Sequence, residues 1–232
     1  AFSRYDRVAR LTPALASFLP LLPLTLSLGG TLETWEAVFA GTTGVVILGG
    51  FVLTHFASAM GNRLQRQLWP DWPFDAPTNV QLMPSNSNVS PQQRALWYAQ
   101  VKEVTGLDLQ AEAIRGDQPT IRATANDAVV RLRNRFRRGK ARPRHDEESI
   151  RYGSARNLTG MRSIWLSLSL LSCFGSWSAY VWGSSDLLWP IIASVLPVPL
   201  FWVAFRVLPS YVRTRARYYC EVFFRLLEEE AE

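Results

Sequence analysis

Eight of the fourteen residues 131–144 are basic: Arg131, Arg133, Arg135, Arg137, Arg138, Lys140, Arg142 and Arg144. All but one are arginine, whose planar fork suits bidentate contact with phosphate. Three roles fit such a run. It can be a solvated, positive cytoplasmic surface resting on anionic lipid. It can neutralise the phosphates of a nucleotide or oligonucleotide. It can also pair with acidic segments of the same chain, residues 146–148 or 228–232.

Other candidates for chemistry are sparse. His145, Asp146, Glu147 and Glu148 form the one cluster resembling a metal or acid–base site. Adjacent residues on a helix do not converge on one ion, so a negatively charged helix start is the expected role. His55 and His145 are the only histidines and Cys173 and Cys220 the only cysteines, too few for a disulfide framework or a Cys-rich zinc site. Phosphate-loop, nucleophile-elbow and zinc-protease motifs are absent from the sequence. No enzymatic activity, metal or cofactor is expected. Ser169, Ser172 and Ser176 share one face at helical periodicity, which suits either interhelical hydrogen bonding or a wetted pore wall.

The elements that must position these residues follow from where charge is missing. The mean hydropathy is zero and the formal charge +6. Yet residues 39–60, 163–180 and 187–205 hold no Asp, Glu, Lys or Arg. A membrane core of about 30 Å needs about 20 mostly apolar residues in a helix. Four stretches are read as spans: 11–28, 37–59, 164–183 and 187–208. The expected fold is an all-α membrane protein of four transmembrane helices in two hairpins, with a mainly helical cytoplasmic insert between spans 2 and 3. Short polar segments turn each hairpin. A cleaved secretory signal is the lesser reading of the first span, because a second apolar stretch follows within ten residues.

Arginines flank the outer ends of all four spans, whereas the two hairpin turns carry only Glu33, Glu36 and Asp186 as charges. The positive-inside rule places both termini and residues 61–160 in the cytoplasm. Trp35, Trp182 and Trp189 are then at the opposite interface. Pro13, Pro20, Pro23, Pro190, Pro197 and Pro199 interrupt two spans, and neighbouring helices must satisfy the backbone groups they free.

The expected divisions are 1–60, the N-terminal arm and first hairpin; 61–160, the arginine-rich insert; 161–209, the second hairpin; and 210–232, a cytoplasmic helix. Within the insert, Ser90 and Pro91 start a helix that Gly106 stops, with Leu96, Trp97 and Val101 on its apolar face. Trp69 and Trp72 lie in a proline-rich loop expected against lipid headgroups. From about 119 to 138, Ile121, Ala125, Ala128, Val129, Leu132 and Phe136 form one stripe. Arg122, Arg133 and Arg137 flank it on one side and Arg131, Arg135 and Arg138 on the other; Gly139 fits the residue beyond the helix end. Val212, Tyr219, Val222, Phe223 and Leu226 offer apolar contacts for the insert or another subunit.

Four local patterns extend this reading: RYDRVARLTPAL at 4–15, NRLQRQLWPDW at 62–72, TGLDL at 105–109 and SIRYGSARNLTGMR at 149–162. In these the chain resembles a family of bacterial four-span membrane proteins, and is similar to membrane effectors of Hailong-type anti-phage systems. The resemblance implies a homo-oligomeric ion channel in the bacterial inner membrane. Its ligand would be an oligodeoxyadenylate or another oligonucleotide, made by a partner nucleotidyltransferase. It assigns no ligand-contacting residue. A non-conducting scaffold or receptor that recruits a cytoplasmic partner is the second reading, and a small-solute transporter the third.

Overall fold

The computed structural model describes residues 3–29 and 43–231, and every regular element among them is a helix. In chain order these are α1 (Asp6–Ser27), α2 (Thr43–Leu68), α3 (Pro77–Gln81), α4 (Pro91–Thr105), α5 (Leu109–Arg115), α6 (Gln118–Phe136), α7 (Arg142–Gly160), α8 (Arg162–Val181) and α9 (Leu188–Glu230). The chain forms two compact units, Ala1–Leu64 with Gly153–Val212, and Gln65–Tyr152 with Arg213–Glu232.

The expected four spans are corrected to three among the described residues: α1, α8 and α9 are the helices long and apolar enough to cross a membrane. Residues 37–42 of the expected second span, 37–59, and the turn before it, with Trp35, lie outside the described residues. The remainder lies in α2, which runs on past it through Asn62, Arg63, Gln65 and Arg66 to Leu68.

In the first unit the prolines decide the local geometry. Pro13 has no N–H to give the carbonyl of Ala9 four residues earlier. That carbonyl instead accepts from Asn157 Nδ2 of α7 at 2.6 Å. Around Pro20 and Pro23, α1 narrows to a 3₁₀ turn, Leu19–Leu21, before the α-helix resumes at Leu22. Restarting a helix leaves first-turn N–H groups without carbonyls. One of them, on Leu24, donates to Ser172 Oγ of α8 at 3.2 Å. Gly175 lies at this contact, where a Cβ would be 2.6 Å from Leu24 Cδ1 and would require that side chain to shift. At its far end α8 turns through Gly183 (φ +71°), where left-handed backbone suits glycine. The returning α9 packs back on α8, with Trp177 Nε1 donating to Ser194 Oγ at 2.9 Å.

The second unit is built around α6. Its stripe of Ile121, Ala125, Ala128, Val129, Leu132 and Phe136 is buried throughout. Phe223, Leu226 and Leu227 of α9 complete that core, with Phe136 and Phe223 in edge-to-face contact at 5.1 Å. Each fully buried side chain of this size contributes about 1.5–3 kcal/mol. The helix α4 has its expected limits: Ser90 Oγ accepts from the Gln93 N–H, and Gly106 ends it at φ 75°. Its apolar face differs from expectation, because Leu96 is exposed while Tyr98 and Val101 are buried. Trp69 touches both Trp72 and Tyr152, so these rings pack within their own unit.

Candidate cationic groove

The basic run does not act as one surface. Arg131 and Arg135 stand one turn apart on the same face of α6, and Arg138 follows in the turn beyond. Together with Lys140 and Arg144 they line an open groove of about 960 Å³. Val104, Thr105 and Asn134 complete one wall, and Glu229 and Glu230 of α9 form the other. Five cations therefore face two carboxylates. Arg133, Arg137 and Arg142 are outside this lining. Arg133 and Arg137 occupy the side of α6 nearer His145, as 3.6-residue periodicity requires, and Arg142 pairs with Asp146 at 3.3 Å.

Within the groove, Arg131 Nη1 donates to the Thr105 carbonyl at 2.9 Å. Arg135 Nε donates to Glu230 Oε2 at 3.2 Å, and Arg144 Nη1 to Glu229 Oε1 at 2.5 Å. The side chains of Arg138 and Lys140 have no hydrogen-bond or ion-pair partner among the described residues. Pairing with the acidic tail, one of three roles open from sequence, is thus physically present, yet it leaves the groove with excess positive charge. Among the described residues no aromatic side chain lines it, so a ligand would be held by its phosphates rather than by stacked bases.

His145 and its acidic neighbours are structural. Helix α7 begins at Arg142, one turn earlier than a start at the acidic cluster requires. Asp146, Glu147 and Glu148 consequently fall beyond its first turn and pair with Arg142 and Arg151 along the helix. His145 is buried, with Nε2 3.3 Å from the Tyr219 hydroxyl and its ring near Phe136. Burial holds its pKa below the usual imidazole value; Asp146 opposes that shift, and Arg137 and Arg133 add to it. Among the described residues no three His, Cys, Asp or Glu side chains converge as metal ligands would.

The serine stripe lies in a helix seam. Ser169, Ser172 and Ser176 are fully buried, whereas Phe174 of the same helix is 70% exposed, with Leu170 and Leu171 also outward. Ser176 Oγ is 3.5 Å from Ser27 Oγ of α1. Small polar residues inside and large apolar ones outside is the arrangement that lipid as solvent selects. His55 Nδ1 is 2.9 Å from the Phe51 carbonyl of its own helix, which accounts for its polar atom locally.

Two features carried no sequence signal. Asn157 reaches Ala9 across 148 positions. Gly160 meets backbone, since a Cβ there would lie 2.6 Å from Gly61 N. Fold and surface together define a largely helical protein with several long apolar helices, consistent with a membrane protein. No family model matches the chain, and neither does any curated protein or solved structure.

Proposed function

We propose that this chain is a homo-oligomeric membrane effector whose ion conduction is controlled by an anionic ligand bound in the groove of its second unit. The ligand is a phosphate chain, most simply an oligonucleotide. One observation carries this reading: Arg131, Arg135, Arg138, Lys140 and Arg144 converge on one open groove, with Arg138 and Lys140 unpaired there among the described residues. Successive phosphates neutralise such a row with release of counterions. The long apolar helices and the resemblance to anti-phage effectors support the conducting role. The same resemblance supports an inner-membrane location, a cytoplasmic groove and an oligodeoxyadenylate supplied by a partner nucleotidyltransferase.

Titration of the detergent-solubilised full chain with a fluorescent single-stranded octadeoxyadenylate tests the groove. Wild-type affinity is expected to fall with salt by a log–log slope of about −0.7 per phosphate neutralised. Reversing two charges, Arg131→Glu with Arg135→Glu, should weaken binding at least about tenfold and flatten the slope by about 1.4. Binding unchanged by this double variant at low salt removes the groove from the reading.

Conduction is tested separately, by ion release from liposomes carrying the folded oligomer with and without the probe. No release in either condition leaves a non-conducting receptor, a second reading favoured by the exposed Leu96 and Ile114 of the second unit.

A further inference from the structure

We infer that the C-terminal turn is a built-in competitor for the groove: Glu229 and Glu230 hold two of the arginines an anionic ligand needs, and the ligand binds by displacing them. The inference rests on the groove being an anion site and concerns its regulation.

Three observations carry it. First, both carboxylates line the groove and are ion-paired there, Glu230 with Arg135 and Glu229 with Arg144. The Arg135 side chain is 65% exposed and makes a single contact through Nε, so its fork remains available to a better acceptor. The Arg144–Glu229 pair is exposed on both sides, and such pairs are weak and salt-screened, whereas Glu230 is the more covered carboxylate at 15% exposure. A phosphodiester offers two oxygens to the same guanidinium.

Second, the tail is held in register from another side. Glu228 accepts from Trp97 Nε1 at 3.0 Å and from Gln93 Nε2 at 3.1 Å, while Leu226 and Leu227 are buried in the core. The helix therefore stays docked when its last two acidic side chains let go, and exchange needs only a change of rotamer.

Third, residue 139 leaves room for the competitor. A Cβ on Gly139 would lie 2.7 Å from Glu230 Oε1. Gly139 is not among the glycines with positive φ, so its backbone does not demand glycine, and a Cβ there would require the Glu230 carboxylate to shift. The left-handed stop expected at Gly139 is not formed, although its N–H still donates to the Arg135 carbonyl at 3.0 Å just past the helix end.

The octadeoxyadenylate titration distinguishes the outcomes with three variants of the full chain, each checked for helicity by circular dichroism. Glu229→Gln with Glu230→Gln should bind about fivefold more tightly than wild type, as expected from losing these two ion pairs. Gly139→Ala keeps every charge and pushes Glu230 aside; it should tighten binding by about twofold. Glu221→Gln, an exposed acid outside the groove, should change nothing. If Gly139→Ala and the double variant both match wild type, the competitor is refuted while the groove stands. Tightening by Glu221→Gln equal to the double variant reduces the effect to net charge and also refutes it. If neither wild type nor any variant binds, the anion site itself is lost and the competitor with it.

Discussion

The side-chain amide of Asn157 donates to the backbone carbonyl of Ala9 at 2.6 Å, covering the acceptor that Pro13 leaves without its helical donor. Asn157 is fully buried, and its Oδ1 accepts from Arg156 at 3.2 Å. Replacing it by leucine removes a buried side-chain donor from that carbonyl, at a cost of about 1–3 kcal/mol. Asn157→Leu should lower the midpoint of unfolding in a mixed-micelle denaturant titration, and Pro13→Ala in that background should recover part of the loss by restoring the local N–H. Equal stability of Asn157→Leu and wild type would show that another group serves Ala9.

Gly160 and Gly49 make opposite forecasts. At Gly160 a Cβ would lie 2.6 Å from the backbone of Met60 and Gly61, whereas at Gly49 there is open space. Backbone cannot swing aside as a side-chain end can, so Gly160→Ala forces the two helices apart, at about 1–3 kcal/mol. Gly49→Ala should be neutral or stabilising by up to about 1 kcal/mol, because alanine favours the helix. The same denaturant titration reads both, and a matching response would remove the close approach from the account.

His145 should shape stability on the acid side. Its folded-state pKa is depressed, chiefly by burial, below the unfolded value of about 6.5. The unfolded chain therefore binds the proton first as pH falls. Stability is fully present above about pH 6.5 and declines as pH drops toward the depressed folded value. Asp146 limits the decline, while Arg137 and Arg133 steepen it. Thermal melts at intervals from about pH 5 to 7.5 should show a shallower acid limb for His145→Gln than for wild type. Identical limbs would assign the acid sensitivity to other groups.

Phe136 joins α6 to the tail helix through Phe223. Phe136→Ala should cost about 3–5 kcal/mol. Hydrogen exchange localises the effect: amides of 118–136 and 219–227 should lose protection together, since both sides of the contact share one core.

Much of the second unit was legible because periodicity reports burial directly. The stripe from Ile121 to Phe136 repeats at helical spacing, and the same spacing already separated Arg131 and Arg135 from Arg133 and Arg137. Ser90 and Gly106 were readable because capping is local chemistry. Tertiary choices were not readable in the same way. Leu96 is as apolar as Val101, and only the packing of α4 decides which faces inward. Helix α5 went unanticipated, although Asp108 caps it and Gly116 ends it, because seven residues carry little periodic signal. The tail–arginine pairs were one option among three, since joining Arg144 to Glu229 across 85 positions requires the fold. Composition counted a fourth span, 37–59, of which residues 37–42 lie outside the described residues.

The outward apolar face of α8 and its inward serines also bear on calorimetry. Parting α8 from α1 inside a bilayer exposes Ser169, Ser172 and Ser176 to lipid or to one another, and wets almost no hydrocarbon. Unfolding the second unit hydrates Leu132, Phe136, Phe223 and their neighbours, and apolar hydration is what raises heat capacity. Scanning calorimetry of the protein in vesicles should thus record two kinds of melting. The transition of the second unit carries a large heat-capacity step and cold-sensitive stability. The long apolar helices α1 and α8 separate within the bilayer with almost no step, held by shape and hydrogen bonds whose strength changes little on cooling.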